Sequence, residues 1–250
     1  MKYFITGTTV SGNHRSHNED CILLGESVIT NGSKEAFIFP PFICAVCDGV
    51  GGENAGEVAS KTTAELLSSS EYQTVSELKS CIFDIHDRLV SIGKQKSELF
   101  NMQTTLCLVA IDKYNTPHCL NIGDSRAYFY KNGNLSRITT DQSLAQYLTE
   151  TGKAEKFGID LRSYKNVIIS SVGNPKQYPM VDLFSLGESI NENDMIIICS
   201  DGVSDHISDE DFLDIISGDE KALTKQQLII DKALSNGSKD NLSLVTIQLA

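Results

Sequence analysis

The chain has 250 residues, of which 40% are hydrophobic, and this is typical of a globular protein with a sizeable core. Thirty-three acidic residues against 21 basic ones give a formal net charge of −12, which argues against nucleic acid as a general partner because such a surface repels phosphate backbones. The N-terminus lacks the apolar core of a signal peptide, and no stretch approaches the roughly 20 apolar residues that span a bilayer. We therefore expect a single cytoplasmic domain over residues 1–250 with no membrane partner.

Seven cysteines lie mostly inside apolar runs, where free thiols behave as small core residues. This odd number in a chain of this length indicates a reducing compartment and not a disulfide framework. Cys44 and Cys47 form a C-x-x-C pair within a predicted strand. Side chains three residues apart on a strand face opposite sides, so the pattern disfavours a zinc or redox site.

The first half of the chain combines strands with two helices. Alternation and β-branched content predict strands at residues 3–10, 21–26 and 42–48. Apolar residues at helical spacing then predict helices over 53–68 and 74–96. Thr74 and Glu77 form a capping-box signature at the start of the second helix.

The second half is dominated by strands, with helices returning near its end. Short strands are predicted at residues 104–112, 118–124, 125–138, 166–172, 180–186 and 194–201. Ser208 with Asp211 opens a short helix, residues 221–235 suit another, and a strand over 241–249 closes the chain. Segregated blocks of strands and helices predict an α+β fold in which two packed antiparallel β-sheets are flanked by helices.

Carboxylates recur at the ends of these strands. Asp48, Asp124 and Asp201 follow apolar runs, Asp240 precedes the last strand, and Glu19 and Asp20 precede an early one. If they converge, two carboxylates about 4 Å apart repel each other by roughly 4 kcal/mol at an effective dielectric constant near 20. A cluster of this size therefore predicts divalent cations, and oxygen ligands favour Mg²⁺ or Mn²⁺ over zinc.

Glycines surround the first of these aspartates. Four of the eight residues after Asp48 are Gly49, Gly51, Gly52 and Gly56. Glycine lets the backbone turn tightly and lets a carbonyl reach an ion, so these positions leave room for ions, water and substrate. The alternative is that Asp48 is a turn residue, which is the commoner role of a single strand-terminal aspartate followed by glycine.

Seven motifs occur in the order found in one protein family. They are RSHNED (15–20), DGVGG (48–52), TTLCLVAI (104–111), NIGDSRAYFY (121–130), TTDQS (139–143), CSDGVSD (199–205) and KDNLSLV (239–245). On these motifs the chain resembles the PPM family, the metal-dependent type-2C serine/threonine protein phosphatases, and its compact length resembles the bacterial branch. The resemblance implies the same sandwich of two antiparallel sheets between helix pairs.

The resemblance also implies roles for individual residues. Asp48 would bridge two Mn²⁺ or Mg²⁺ ions, the carbonyl of Gly49 would help hold the second, and Asp201 and Asp240 would bind the first. Glu19 and Asp20 would act through metal-bound water. Arg15 would bind the substrate phosphate. A third metal site would be formed by Asp124, Asp201 and Asp205. Asp205 could equally cap the turn after Asp201.

The implied reaction is hydrolysis of phosphoserine and phosphothreonine by direct attack of a hydroxide that bridges the two metals. Phosphorylated substrates of a cognate kinase are the expected partners, and the protein is expected to be a monomer. Val50 replaces the histidine that eukaryotic members carry, so the leaving group must take its proton from another source. Gln142 replaces a common histidine and is expected to change only local hydrogen bonding. Residues 149–180 are expected to form a flap beside the site.

Two other functions remain open at this point. A catalytically inert module of the same fold could bind partners, although the retained set of Glu19, Asp48, Asp201 and Asp240 argues against this. A phosphatase of small phosphate esters would use the same residues, and comparing phosphopeptides with metabolites would distinguish it.

Overall fold

Two antiparallel sheets pack face to face in the computed structural model, which describes residues 1–50, 55–186 and 190–250. The first sheet has the strand order β10-β9-β12-β13-β1-β4. In chain order its strands are β1 (Tyr3–Val10), β4 (Gly32–Ile38), β9 (Arg126–Lys131), β10 (Asn134–Arg137), β12 (Met195–Cys199) and β13 (Leu242–Leu249). This pairing joins both ends of the chain, because β1 lies beside β13 in full antiparallel register from Tyr3 opposite Leu249 to Val10 opposite Leu242.

The second sheet has the order β11-β8-β7-β5-β2-β3, and a short strand, β6, also pairs with β5. Its members are β2 (Asp20–Leu24), β3 (Ser27–Ile29), β5 (Phe42–Val50), β6 (Gln103–Thr104), β7 (Leu106–Ile111), β8 (Pro117–Ile122) and β11 (Asp182–Ser185). The central strand β5 is bordered by β2 and β7, so its C-terminal end lies deep inside the molecule.

Helices cover the outer face of each sheet. Helices α1 (Ala55–Ser68) and α2 (Val75–Gln95) pack on the second sheet, whereas α5 (Asp201–Ser204), α6 (Asp209–Ser217) and α7 (Ala222–Ser235) pack on the first. Two short helices, α3 (Leu144–Glu150) and α4 (Lys153–Phe157), and a 3-10 turn at Leu161–Tyr164 follow the hairpin of β9 and β10. The predicted α+β sandwich is confirmed.

Strand β5 shows why both faces of the second sheet need a cover. Ile43, Ala45 and Cys47 face the helices, while the alternating residues, including Cys44 and Val46, face the other sheet. The two cysteines of the C-x-x-C pair therefore lie on opposite faces, as predicted, and all seven cysteines are free thiols.

Helix α2 begins as its sequence predicts. The Thr74 hydroxyl accepts a hydrogen bond from the Glu77 amide, and the Glu77 carboxylate accepts one from the amide of Gln73. The first predicted helix starts at Ala55 among the described residues, and its predicted positions 53 and 54 lie outside them. No helix among the described residues is long and apolar enough to cross a membrane.

One predicted strand is wrong. Residues 166–172 form only isolated bridges, from Ile168 to Ser143 and from Val172 to Thr104. The sequence of this segment predicts a strand because it is apolar and β-branched. In the structure its backbone divides its hydrogen bonds between two separate partners and forms no continuous ladder. Conversely, the edge strand β4 was missed because it is mostly exposed and carries little apolar alternation.

Candidate active site

The predicted carboxylates converge where the two sheets open at one end. Asp20 on β2 lies directly opposite Asp48 on β5, so their side chains point to the same face. The side chains of Ile22 and Val46, two residues from each, belong to the core between the sheets. The two carboxylates therefore lie at the mouth of the space between the sheets.

Two threonines fix the backbone of Asp48. The Thr104 hydroxyl and the Thr105 amide both donate to the Asp48 carbonyl, at 2.9 and 2.8 Å. The Asp48 amide in turn donates to the Thr105 hydroxyl at 3.1 Å. These bonds satisfy both main-chain groups of Asp48. The backbone position of Asp48 is therefore set by Thr104 and Thr105 and not by its own carboxylate.

Gly49 and Gly56 allow three backbone segments to meet beside Asp48. A Cβ atom at Gly49 would lie 2.4 Å from the Gly56 carbonyl and 2.6 Å from the Glu19 carbonyl oxygen. The Gly49 amide donates to that Glu19 oxygen at 3.2 Å. Close approach thus explains these two glycines, whereas Gly51 and Gly52 lie outside the described residues.

A cavity of about 200 Å³ contains most of the predicted site. It is lined by Arg15, Glu19, Asp48, Gly49, Val50, Thr105, Asp124, Asn166, Ile168, Asp201, Asp240 and Asn241. The structure therefore brings together Arg15, Gly49 and five of the seven predicted carboxylates. The other two, Asp20 and Asp205, lie beside this cavity and not in its lining.

Burial and mutual repulsion raise the pKa values of the clustered carboxyls. Burial, reinforced by the charges of Asp20 and Asp201, raises the pKa of Asp48 well above its usual value. Burial and then Asp201 raise the pKa of Asp124 to about 8, and burial and then Asp240 raise the pKa of Asp201 to about 6. A positive charge that enters the cavity would therefore strongly stabilise the ionised forms of these carboxyls.

Asp20 is the most enclosed member of the group. Burial raises its pKa to about 7, against the opposing effect of hydrogen bonds from Ser243 and Ser200. The Ser243 hydroxyl donates to Oδ2 at 2.6 Å, while the buried Oδ1 has no hydrogen-bond partner. Glu19 also has a buried oxygen, Oε1, without a partner. A hard cation can bind such an unpartnered buried oxygen directly, and a water bound to the cation can donate a hydrogen bond to it.

Arg15 and Asp240 form an ion pair at the rim. The Arg15 guanidinium donates to Asp240 Oδ2 at 2.8 Å, and both side chains are partly exposed. Exposed pairs contribute only about 0–1 kcal/mol, so either partner can readily exchange this contact for a phosphate or a cation. Asn241 fixes the same corner, because its amide donates to Asp240 Oδ1 at 2.8 Å and its side-chain oxygen accepts from the Glu19 amide at 2.9 Å.

Asp205 is held by two basic side chains. Arg126 donates to its Oδ1 at 2.8 Å, and Lys165 lies 2.8 Å from its Oδ2. Arg126 also binds Asp141 through two nitrogens, at 3.1 and 2.8 Å. Both oxygens of Asp205 are therefore engaged, and Lys165 would have to leave before Asp205 could bind a third ion.

The donor set of the site fits divalent metals. In the described ranges, no group of three or more histidine, cysteine, aspartate or glutamate side chains is positioned to hold a metal. The contacts of Asp240 with Arg15 and of Asp20 with Ser243 account for part of this, because each directs a carboxylate oxygen elsewhere. Oxygen donors, buried orphan acceptors and raised pKa values nonetheless match Mn²⁺ or Mg²⁺.

Several residues of the site were not assigned a role from sequence. Thr104, Thr105 and Arg126 belong to motifs that were recognised, but their tasks depend on contacts with Asp48, Asp141 and Asp205. Lys165, Asn166 and Ile168 lie in the segment expected to form a flap, but no pattern singles them out individually because they reach the site only through the path of the chain after α4. Gln142 exchanges hydrogen bonds with Gly123 and donates to Asp182 at 2.8 Å.

The family model described as protein phosphatase 2C matches residues 40–236. The serine/threonine phosphatase stp of Listeria welshimeri is 28% identical over 249 residues, which cover 96% of this chain and 93% of that protein.

Two solved structures share the fold. The S. agalactiae serine/threonine phosphatase superimposes with a TM-score of 0.81 and 24% identity, covering 99% of this chain and 100% of the other. The catalytic domain of the serine/threonine protein phosphatase PstP, in complex with two manganese ions, superimposes with a TM-score of 0.76 and 25% identity, covering 99% of each chain.

The chain belongs to the protein phosphatase 2C family, because the family model matches most of its length. It is a protein phosphatase of the bacterial PPM type, and the alternatives of an inert module or a phosphatase of small esters are not favoured by these relatives.

We predict that Gly49→Ala disrupts the site by steric contact. The added methyl group meets backbone of Gly56 and Glu19, which cannot move independently, so we expect a loss of about 1–3 kcal/mol in the free energy of unfolding. Gly218→Ala is the control, since its new methyl group meets chiefly the flexible side chain of Glu220. Urea unfolding of both variants measures this loss. Equal free energies of unfolding for Gly49→Ala and Gly218→Ala would show that the close backbone approach at Gly49 does not limit stability.

We also predict that the metal-free protein loses stability as the pH rises. The folded pKa values of Asp20, Asp201 and Asp124, about 7, 6 and 8, lie above the usual 3.8, so the folded state favours their protonated forms. This contribution is complete below about pH 4 and is lost as the pH passes through 6 to 8.

The measurement is the melting temperature in a chelator between pH 5 and pH 9. It should fall across this range, and the fall should be smaller in Asp124→Asn, which removes one of the carboxyls with a raised pKa. A melting temperature that stays constant or rises over this range in the wild type would contradict the electrostatic account.

Proposed function

We propose that this protein hydrolyses phosphoserine and phosphothreonine in other proteins with the help of two Mn²⁺ or Mg²⁺ ions. The observation that carries the proposal is the cavity in which Arg15 meets the half-buried carboxylates of Asp48 and Asp201 and the buried carboxylate of Asp124. The names of the relatives support the serine/threonine specificity, and the neighbour in complex with two manganese ions supports the metal.

The residues that would hold the ions follow from the donor set. Asp48 would contribute to both ions, the Gly49 carbonyl to one, and Asp201 and Asp240 to the other. Glu19 and Asp20 would act through water, which suits their unpartnered buried oxygens. Asp124 with Asp201 would form a third site, and Asp205 would join it only after releasing Lys165.

The bound ions would supply a hydroxide near neutral pH by lowering the pKa of coordinated water, and would neutralise charge on the phosphoryl group. The chain's own residues orient the substrate. The planar guanidinium of Arg15 can exchange Asp240 for two phosphate oxygens, a geometry that a lysine cannot match. Val50 has no proton to give, so the proton for the serine or threonine oxygen would come from a coordinated water or from another group of the site.

We further propose that residues 149–180 act as a flap that contacts the phosphoprotein. Asn166 and Ile168 line the cavity, and Lys165 reaches across to Asp205. The partners would be the phosphoproteins made by a cognate serine/threonine kinase. Seven free cysteines support a cytoplasmic location, because reducing compartments keep thiols unpaired.

We predict that turnover is strictly metal-dependent and that Asp48→Asn abolishes it. The substitution removes the charge that both ions share, so we expect loss of both core ions and of nearly all activity on a phosphopeptide, with the fold retained. The assays are phosphate release after EDTA treatment and readdition of Mn²⁺, and calorimetric titration of Mn²⁺.

Asp112→Asn is the matched control. Asp112 directly follows strand β7, and its carboxylate accepts bonds from the amides of Tyr114 and Thr116 in a turn, a role that asparagine can fill. We expect wild-type turnover from it. Full activity of the wild type in EDTA, or substantial activity of Asp48→Asn in saturating metal, would reject the binuclear site.

We predict that Arg15→Ala raises KM for phosphopeptide and lowers kcat/KM by about one to two orders of magnitude. Charge-assisted hydrogen bonds contribute roughly 1.5–3 kcal/mol each, and 1.4 kcal/mol corresponds to tenfold. Arg15→Lys should recover part of the loss, because it restores charge without the planar fork. Affinity for Mn²⁺ should not fall, since the substitution frees Asp240.

Steady-state kinetics with separate metal titrations tests this prediction. Arg88→Ala, which removes an exposed arginine from the outer side of α2, controls for the change in net charge. An Arg15→Ala enzyme with normal kcat/KM would remove Arg15 from the site. Weakened metal binding with normal KM would assign it a structural role.

A further inference from the structure

His86 is a buried histidine on α2 that accepts a hydrogen bond from the protein backbone. Its side chain is only 3% exposed, and its Nδ1 accepts the Gly173 amide at 3.0 Å. A ring nitrogen that accepts an N–H carries no proton itself, so this contact requires the neutral imidazole with its proton on Nε2. Burial also lowers the pKa of His86, against a smaller opposing effect of Asp87.

Gly173 leaves little freedom for the chain at this point. Its φ angle is +89°, and a Cβ atom here would lie 2.6 Å from the Met102 carbonyl oxygen. The preceding residue, Val172, exchanges two backbone hydrogen bonds with Thr104, at 3.1 and 2.9 Å. The end of the segment 166–173 is therefore fixed between α2 and strand β6.

This segment connects the His86 contact to the active site by two routes. At its start, Asn166 and Ile168 form part of the cavity wall. At its end, Val172 pairs with Thr104, whose hydroxyl donates to the Asp48 carbonyl at 2.9 Å. Between these points, the Ile169 amide donates to the Gln142 carbonyl at 2.8 Å. The contact at Gly173 is therefore linked to the cavity wall through residues 166–172 and to the Asp48 backbone through Thr104.

Tyr178 packs against the imidazole without replacing its hydrogen bond. The two rings have centroids 4.8 Å apart, and the Tyr178 hydroxyl donates to Asp87 at 2.9 Å. Asp87 and Tyr178 are the titratable groups that the structure records against His86. The stacked tyrosine therefore offers a control that removes a neighbouring hydrogen bond and leaves the Nδ1 acceptor in place.

We propose that His86 is a positioning residue of the active site: its Nδ1 holds Gly173, so that the segment 166–173 presents Asn166 and Ile168 to the bound phosphopeptide. The kinetic part of this inference rests on the proposed function, whereas the structural part does not.

Three variants test the proposal in the full-length protein. His86→Phe keeps an aromatic ring against Tyr178 but removes the acceptor. His86→Asn replaces the ring with an amide whose Oδ1 takes the place of Nδ1. Tyr178→Phe keeps both the ring and the acceptor and removes only the bond to Asp87. Hydrogen exchange of the segment 166–173 is measured by mass spectrometry and NMR.

In His86→Phe the buried Gly173 amide is left unpaired, and we expect its exchange to accelerate by about 5- to 150-fold. His86→Asn should restore part of the protection, and Tyr178→Phe should keep nearly all of it. In kinetics, His86→Phe should raise KM for phosphopeptide, while kcat for p-nitrophenyl phosphate stays within about twofold of the wild type. Unchanged exchange at Gly173, or equal losses in His86→Phe and Tyr178→Phe, would overturn the proposal.

If His86→Phe does not fold, the wild-type imidazole still decides the matter. Nitrogen-15 NMR should show a neutral His86 with its proton on Nε2 at pH 7, and a proton on Nδ1 would overturn the proposal. If the wild type hydrolyses neither substrate while Gly173 behaves as expected, the proposed function fails and the positioning contact stands. If phosphopeptide KM is unchanged while Gly173 loses protection, the link to substrate is rejected.

Discussion

Mutual repulsion among buried carboxylates is the constraint around which this protein is built. Asp20 and Asp48 lie directly opposite each other on adjacent strands, where Cβ atoms are roughly 4.5–5.5 Å apart. Asp124 and Asp201 are close enough to raise the pKa of Asp48 further. Removing such charges from water costs several kcal/mol for each ion unless an opposite charge compensates. Within the described cavity lining the nearest permanent cation is Arg15, which engages Asp240 at the exposed rim. Divalent ions are the compensation that the inner carboxylates still require, and phosphoryl transfer to water is the chemistry that such ions support.

The sandwich fold brings these charges together and keeps them apart from the solvent-facing surface. Strands β2 and β5 deliver Asp20 and Asp48 side by side, and the pairing of β12 with β13 brings Asp201 and Asp240 to the same end of the molecule. Gly49 and Gly56 let α1 begin close to that end, and Thr104 and Thr105 fix the Asp48 backbone. The Asp48 carboxylate thus stands on a backbone whose own hydrogen bonds are satisfied without it. This arrangement lets the acidic side chains change partners between Arg15, serine hydroxyls and cations while the sheets stay in place.

How much the sequence predicted depended on the range of the interaction. The α+β class, most strands, the Thr74 cap and the acidic strand ends follow from local spacing, and the structure confirms the fold class. The pairing of Arg15 with Asp240 joins residues 225 positions apart, and the bond from Gly173 to His86 spans 87. No local pattern encodes such contacts. For residues 166–172 the sequence predicts a strand that the structure does not contain. Apolar β-branched content is typical of a strand even where the backbone bonds to several partners. The metal ligands remain a prediction in their individual roles, although most of them share one cavity.

Anomalous diffraction from crystals grown with Mn²⁺ would locate the ions relative to Asp48 and Arg15. The account predicts two strong manganese peaks in the cavity between the sheets, with the Asp48 carboxylate contacting both and Arg15 released from Asp240. A third peak near Asp124 should include Asp205 among its ligands only where Lys165 has left that carboxylate. Manganese peaks confined to the outer surface, or a single ion that Asp48 does not contact, would contradict the account.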